Sequence, residues 1–393
     1  MNGENLTESN PLPLVGVSVR KKSRKSQTLF WLQTAALVFG FGLFFYVIYR
    51  IGLHTVTQAL SRVGWGFVPV ILLNGARHFL RAVCIYLAIA PEHRTFKFRH
   101  ALAARLGGEA VSVITFTGPL LGDLTKALML KKNTAFTNSA AAIIVDNILY
   151  YVSVVLMILC GVSVMLYGFG GGDAYMKLAL FAVASFAMLI ITGLILTVKF
   201  HFKPLTWMLK KLSRFRLPAK FIEAKKDYAA KIEDNVFDFY KNRKSAFYTI
   251  SGLIISAHIL SVAEVYLALN LLGSTAMPSN AFVIESLTKV INMVFGFIPG
   301  TVGVYEGGNG VILNFLGFTT ATGVALALVR RGAILFWTFV GLTILLWRAL
   351  AKNTHYINRR DADGGQKQSV NKTAFAHQNQ NEPDAQNNSR DNS

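Results

Sequence analysis

Cysteine is almost missing from this chain. Two residues among 393, Cys84 and Cys160, both fall inside apolar runs, which excludes a disulfide framework and a thiolate metal site. Acidic side chains are scarce as well, with 20 Asp and Glu against 40 Lys and Arg, a formal net charge of +20. Signatures of common enzyme chemistry are absent. There is no His-Glu-x-x-His and no grouping of His, Cys and Asp at metal-ligand spacing. There is no Gly-x-Ser-x-Gly. The run GVYEGGNG (Gly303–Gly310) is rich in glycine, but no strand precedes it, so a dinucleotide fingerprint is not expected. The sequence therefore calls for no metal and no cofactor.

What the chain has in quantity is apolar sequence, 53% of all residues, in runs long enough to span a bilayer. The positive charge lies in the loops between those runs. It reads as membrane topology and contact with anionic lipid, and nucleic acid is not an expected partner.

The chain is organised around Phe295–Gly310, FGFIPGTVGVYEGGNG. Pro299 and Gly300 should stop a helix arriving from Ala281, and Gly303 permits the turn that follows. The helices left on either side, Val283–Ile298 and Tyr305–Gly317, would reach roughly 24 and 18 Å, short of the ~30 Å hydrocarbon core. That predicts a re-entrant hairpin, tolerated at membrane depth only where protein or a wet cavity receives its unpaired backbone. A proline-kinked spanning helix is the alternative. A second such stretch is Phe116–Lys126, FTGPLLGDLTK, broken at Gly118 and Pro119 with Gly122 beyond. Its order of features matches Phe297–Gly307: Phe116 with Phe297, Gly118-Pro119 with Pro299-Gly300, Gly122 with Gly303. An Ala-rich helix with a charge near its start follows each, carrying Asp146 in one case and Arg330 and Arg331 in the other.

In chain order, residues 1–27 form a basic tail ending in RKKSRK. A first span over 28–50 is too long for a signal-peptide core and is expected to be retained as an anchor. Further spans are expected over Trp65–Ala90, Asn138–Gly168, Tyr175–Phe200, Ser245–Leu272 and Ala321–Leu350. The expected fold is all-α and polytopic: about six transmembrane helices and two re-entrant hairpins in an inverted repeat, within a domain over 28–350. Basic flanks place both termini in the cytoplasm of a cytoplasmic (inner) membrane. Residues 203–244 read as amphipathic helices on the inner leaflet, with Trp207, Leu209, Leu212 and Phe215 in the interface and lysines on anionic headgroups. Residues 351–393 form a cytoplasmic tail, expected to be disordered where Asn, Gln and Asp dominate from 361 on.

Charge inside the spans carries the functional signal. Asn74, Arg77, His78 and Arg81 share one face of the second span. Each central Arg costs ~2.5–3.5 kcal/mol on insertion scales, so that face should turn inward. Pairing with carboxylates, binding of an anionic headgroup, and snorkelling to the surface all remain open readings. Arg105 and Glu109 stand i, i+4. Six carboxylates are placed for acid–base work: Glu109, Asp123, Asp146, Glu264, Glu285 and Glu306. Each has a pairing alternative among Arg77, Arg81, Arg105, Lys126, Lys289, Arg330 and Arg331, favoured for Glu264 and Glu285.

These residues resemble a known family. Pro119 with Gly122-Asp123, Asp146 in the next helix, then Pro299-Gly300, Gly303, Val304, Glu306 and Arg330 are similar to the lysylphosphatidylglycerol synthase transmembrane-domain family, or flippase-like integral membrane proteins. The likeness covers roughly 28–350. The chain departs from it at Lys126, where the family usually has Arg, at Asp146-Asn147, often acid-Arg, and at Pro299-Gly300-Thr301, often Pro-Gly-Gly. These departures bear on substrate more than on fold. The synthases of the family carry an aminoacyl-transferase domain after the membrane part. Only the polar tail follows Leu350 here, so the resemblance implies the translocating half: a flippase for a phospholipid or a polyprenyl-linked lipid. Substrate would meet Arg77, Arg81, Asp123, Lys126, Asp146, Glu306 and Arg330. Inverted repeats with broken helices are also an architecture of secondary transporters. The rival readings are a membrane transferase acting on a lipid-linked substrate and a non-catalytic partner of a lipid-biosynthesis enzyme.

Overall fold

The computed structural model describes residues 61–115, 118–131, 134–168, 174–200, 202–212, 219–296, 301 and 303–379. The expected N-terminal tail, the first span, Pro299, Gly300 and the side chain of Phe215 lie outside the described set. Eleven α-helices and no strand occur among the described residues. They are α1 (Phe67–Ala88), α2 (Phe98–Ile114), α3 (Pro119–Leu130), α4 (Phe136–Gly168), α5 (Ala174–Lys199) and α6 (Pro204–Leu212). Then come α7 (Ala219–Asn242), α8 (Lys244–Leu271), α9 (Pro278–Val294), α10 (Val304–Phe315) and α11 (Thr320–Asn379). Among the described residues four stretches are long and apolar enough to cross a membrane: Ser61–Ala88, Phe136–Gly168, Lys244–Leu271 and Thr320–Leu350. In α5 the comparable apolar stretch is shorter, Lys177–Gly193.

Two pairs of short helices interrupt this series. α2 and α3 have 17 and 12 residues, and α9 and α10 again have 17 and 12. The breaks fall where the sequence supplies a residue that can reverse the chain. Gly118 caps α3 at φ 30° with Pro119 as its first residue, and Gly303 caps α10 at φ 83°. Both conformations are left-handed, open to glycine and costly to other residues. Thr301 nonetheless adopts φ 50°. The two breaks approach each other, since a methyl on Gly118 would stand 3.3 Å from the Gly296 carbonyl oxygen.

The packing of α1–α4 is repeated by α8–α11. α1–α2, α2–α3, α3–α4 and α1–α4 touch in the first set, and α8–α9, α9–α10, α10–α11 and α8–α11 in the second. Contacts between the sets are matched as well: α2–α11 with α9–α4, and α1–α11 with α8–α4, around the central pair α1–α8. That central pair is antiparallel. Arg243, just before α8, donates to the Ala88 and Leu87 carbonyls at the end of α1 (2.6 and 2.7 Å), while Gly66, before α1, packs on Leu271 at the end of α8. Arg94 donates to Ile89 O at 2.9 Å on the same terminus, so two guanidiniums meet the negative end of the α1 dipole. Burial, and then the charge of Arg94, lower the Arg243 pKa.

Lipid tails are as apolar as leucine, so apolar burial alone gives these helices little reason to associate. Close approach at small residues supplies the contact instead. Gly75 lies against Trp337, Gly341 against the Leu106 carbonyl, and Gly108 against Lys126 and the Gly122 carbonyl. Around this body, side chains such as Leu178 and Leu189 of α5 point outward.

The segment read as amphipathic forms α6 and α7. Glu233 of α7 accepts from the Leu205 and Thr206 backbone N–H groups, capping α6. Ile232, Val236 and Phe239 of α7 pack on the same core as Ala141, Ala142 and Val145 of α4, and Trp207 and Met208 of α6 stay exposed. α11 runs on to Asn379. No proline stands between Pro299 and Pro383, so nothing obligatory ends the backbone ladder earlier.

Candidate functional site

A cavity of about 890 Å³ lies among α1, α2, α4, α8, α9 and α11. Both breaks reach it: Ser112 and Pro119 from one, Gly296 and Thr301 from the other. Six cationic side chains line it, Arg77, Arg81, Arg105, Lys289, Arg330 and Arg331, against three carboxylates, Glu109, Glu264 and Glu285.

The α1 face supplies Arg77 and Arg81, one turn apart. Arg77 donates to Glu264 Oε2 of α8 at 2.7 Å, and Asn74 approaches the same oxygen at 3.5 Å. Glu264 Oε1 takes Arg330 Nε of α11 at 3.2 Å. A second Arg330 nitrogen meets Glu285 Oε2 of α9 at 2.7 Å. Glu285 Oε1 takes Lys289 Nζ at 2.7 Å and the Ser261 hydroxyl. Glu264 and Glu285 are thus bridges that tie α1, α8, α9 and α11 through three cations, the pairing favoured for them from sequence. Arg81 pairs with Asp146 of α4 at 2.6 Å and lies 4.0 Å above the Tyr150 ring. His258 stacks on the other residue surface of this corner, 5.3 Å from the Tyr150 centroid, and shares a 2.8 Å hydrogen bond with Ser153.

The ion pairs of the two halves correspond with their signs exchanged. Asp146 sits as far along α4, counted from Phe136, as Arg330 along α11, counted from Thr320. In the first half the span α1 gives the cation (Arg81) and α4 the carboxylate; in the second, α8 gives the carboxylate (Glu264) and α11 the cation. At the next residues the carboxylate comes from the short helix in both halves. Asn147 donates to Asp123 of α3 at 2.5 Å, and Arg331 meets Glu306 of α10 at 2.5 Å. Lys126, 2.7 Å from Asp123, supplies to the first half the positive charge that Arg331 supplies to the second.

Of the seven residues expected to meet substrate, Arg77, Arg81 and Arg330 line the cavity. Asp146 stands behind Arg81, buried. Glu306 stands behind Arg331 and accepts from the Gly303 N–H at 2.7 Å, capping α10. Asp123 and Lys126 hold each other on α3, with Lys126 buried against Gly108, and neither is part of the cavity lining. Also lining the cavity are Glu109 and Glu285, read from sequence as acid–base candidates, their pairing alternatives Arg105 and Lys289, and Tyr150 and His258, which the sequence did not single out as a site. Two of these pairs carried a signal. Glu285 and Lys289, like Arg105 and Glu109, are spaced i, i+4 in otherwise apolar helices.

Taken together, eight ion pairs join seven cations to six carboxylates across these helices, leaving one positive charge in excess among the described residues. Among the described residues Arg81 Nε, Arg105 Nε and Arg330 Nη1 are buried donors, and Asp146 Oδ1 and Glu285 Oε2 buried acceptors, without a hydrogen-bond partner. Such donors in a low-dielectric site are costly unless an acceptor reaches them.

Apolar spanning helices around a charged central cavity define a multi-pass membrane protein. Its sequence matches the pattern of the lysylphosphatidylglycerol synthase TM region over residues 33–341. The chain belongs to that family, which connects it with lipid synthesis or transport. No curated protein and no solved structure matches the chain.

Proposed function

We propose that the protein is a lipid translocase that carries an anionic headgroup, on a phospholipid or a polyprenyl-linked lipid, between the leaflets of the cytoplasmic membrane. The observation that carries this reading is the central cavity, lined by six cations against three carboxylates, within an ion-pair network that holds one cation in excess among the described residues. A phosphate offers the missing negative charge and several acceptor oxygens at once, and Arg matches it in a bidentate way.

The two sets of four helices support an inverted repeat in this reading, with α2–α3 and α9–α10 as re-entrant hairpins from opposite sides. Their lengths, about 25 and 18 Å each, fall short of the ~30 Å core. Hairpin tips meeting beside a binding site at the repeat interface suit alternating access. With the basic flanks inside, both termini are cytoplasmic, and α6 with Trp207 and its lysines rests on anionic headgroups of the inner leaflet.

Leaflet exchange in proteoliposomes tests the proposal. Headgroup-labelled anionic, zwitterionic and cationic lipids are compared. Purified protein should exchange the anionic lipid fastest. Absence of exchange for every lipid, together with a covalently altered lipid in the same vesicles, would establish the transferase reading instead.

A further inference from the structure

The headgroup cavity is polar, yet a lipid brings hydrocarbon tails that need a way out of it. An apolar groove of about 250 Å³ lies between α4, α5 and α9. Val155 and Ile158 of α4, Val183 and Phe186 of α5, and Val290 and Met293 of α9 form its walls. Met293 also lines the charged cavity, as does Val154, the neighbour of Val155. The two spaces therefore adjoin across one flexible side chain.

The groove has a structural cause. α4 and α9 cross tightly at Gly161, where an added methyl would collide with the Ser286 side chain. Further along, Val155 and Ile158 of α4 and Val290 and Met293 of α9 leave the apolar space that α5 covers. α5 packs chiefly on α4 among the described helices, and residues on its other sides, such as Leu178 and Leu189, are exposed. A helix held mainly along one edge is suited to moving aside.

We infer that this groove is the lateral passage for the hydrocarbon tail of the lipid whose headgroup occupies the cavity, with α5 as its movable wall. This rests on the translocase reading for the source of the lipid. The bilayer is as apolar as the groove, so the groove supplies a path and a position, while the headgroup contacts supply affinity. A purely apolar lining beside a cavity with an excess cation selects an amphiphile over a free anion such as inorganic phosphate.

The test uses the full chain in vesicles containing an anionic phospholipid with a photoreactive diazirine at mid-chain, and the adducts are mapped by mass spectrometry. Background lipid contact is read from Leu178 and Leu189, the outward side of the same helix. Labelling at Val183, Phe186 and Met293 should exceed that background and fall when the probe carries a zwitterionic headgroup, and labelling at Phe186 and Met293 should fall to background in Val183→Trp. Exchange of headgroup-labelled lipid is measured in parallel and should be lost in Val183→Trp. Groove labelling no greater than at Leu178 and Leu189 overturns the passage, whatever the exchange rate. So does capture of residues 28–50 of the chain itself by a crosslinker placed at Val183, which would make the groove a seat for another helix. Labelling without exchange in native protein leaves the passage standing and removes the translocase reading.

Discussion

Replacing Arg330 with Met separates the two roles of the charged network. In the native chain Arg330 bridges Glu264 at 3.2 Å and Glu285 at 2.7 Å. Each carboxylate keeps a second cation in the variant, Arg77 for Glu264 and Lys289 for Glu285, both at 2.7 Å. Six cations then face six carboxylates, so the variant carries no uncompensated buried charge. Its loss of stability should accordingly fall at or below the low end of the ~3–5 kcal/mol seen when a buried pair is broken. Binding of an anion should suffer more. One unit charge at about 4 Å with an effective dielectric of 20 is worth roughly 4 kcal/mol, or about a thousand-fold in affinity. Thermal unfolding in detergent measures the first quantity, and anionic-lipid exchange in proteoliposomes the second. A variant that melts near the native temperature and exchanges the anionic lipid at the native rate would refute the role of the excess charge. The parallel variant Lys126→Met also removes a cation, but one outside the cavity lining, and should weaken exchange far less.

Other expectations follow from single contacts. Asp146→Asn leaves Arg81, 6% exposed, without its counter-ion and should cost about 3–5 kcal/mol in unfolding; the double replacement Arg81→Met with Asp146→Leu should restore most of it. Gly122→Val places a methyl 2.6 Å from the Gly108 carbonyl oxygen and should destabilise by about 1–3 kcal/mol, read from the shift in melting. Thr301→Gly relieves a β-branched residue at φ 50° and should leave stability equal or higher by up to ~1 kcal/mol, whereas Gly303→Val should lower it. Arg243→Ala removes two charged hydrogen bonds from the end of α1 and should cost roughly 1.5–3 kcal/mol, visible as faster hydrogen exchange at Leu87–Ile89.

The helices were legible because apolar runs, glycines and prolines are local signals. The expected span Ser245–Leu272 and the observed α8, Lys244–Leu271, differ by a residue at each end. The breaks at Gly118-Pro119 and near Gly303 were readable for the same reason. The inward turn of Arg77 and Arg81 was legible from desolvation cost alone, but their partners were not. Glu264 and Asp146 stand far away in sequence, and only packing decides which cation meets which carboxylate. Asp123 and Lys126 were expected on the cavity because they follow a break. They pair within α3 and with Asn147 instead, a local solution at i, i+3 that turns Lys126 into the α2–α3 contact. Tyr150 and His258 gave no signal, since an aromatic or a lone His in an apolar helix reads as packing.

The exchange of sign between Arg81–Asp146 and Glu264–Arg330 decides how the two halves can meet. Two identical copies of the first half, meeting about the same central axis, would set Arg77 and Arg81 of one α1 against those of the other. The bridge from Arg77 to Glu264 exists only because the halves differ. The two halves are therefore not interchangeable: α8 brings to the central contact the carboxylate that a second α1 would lack.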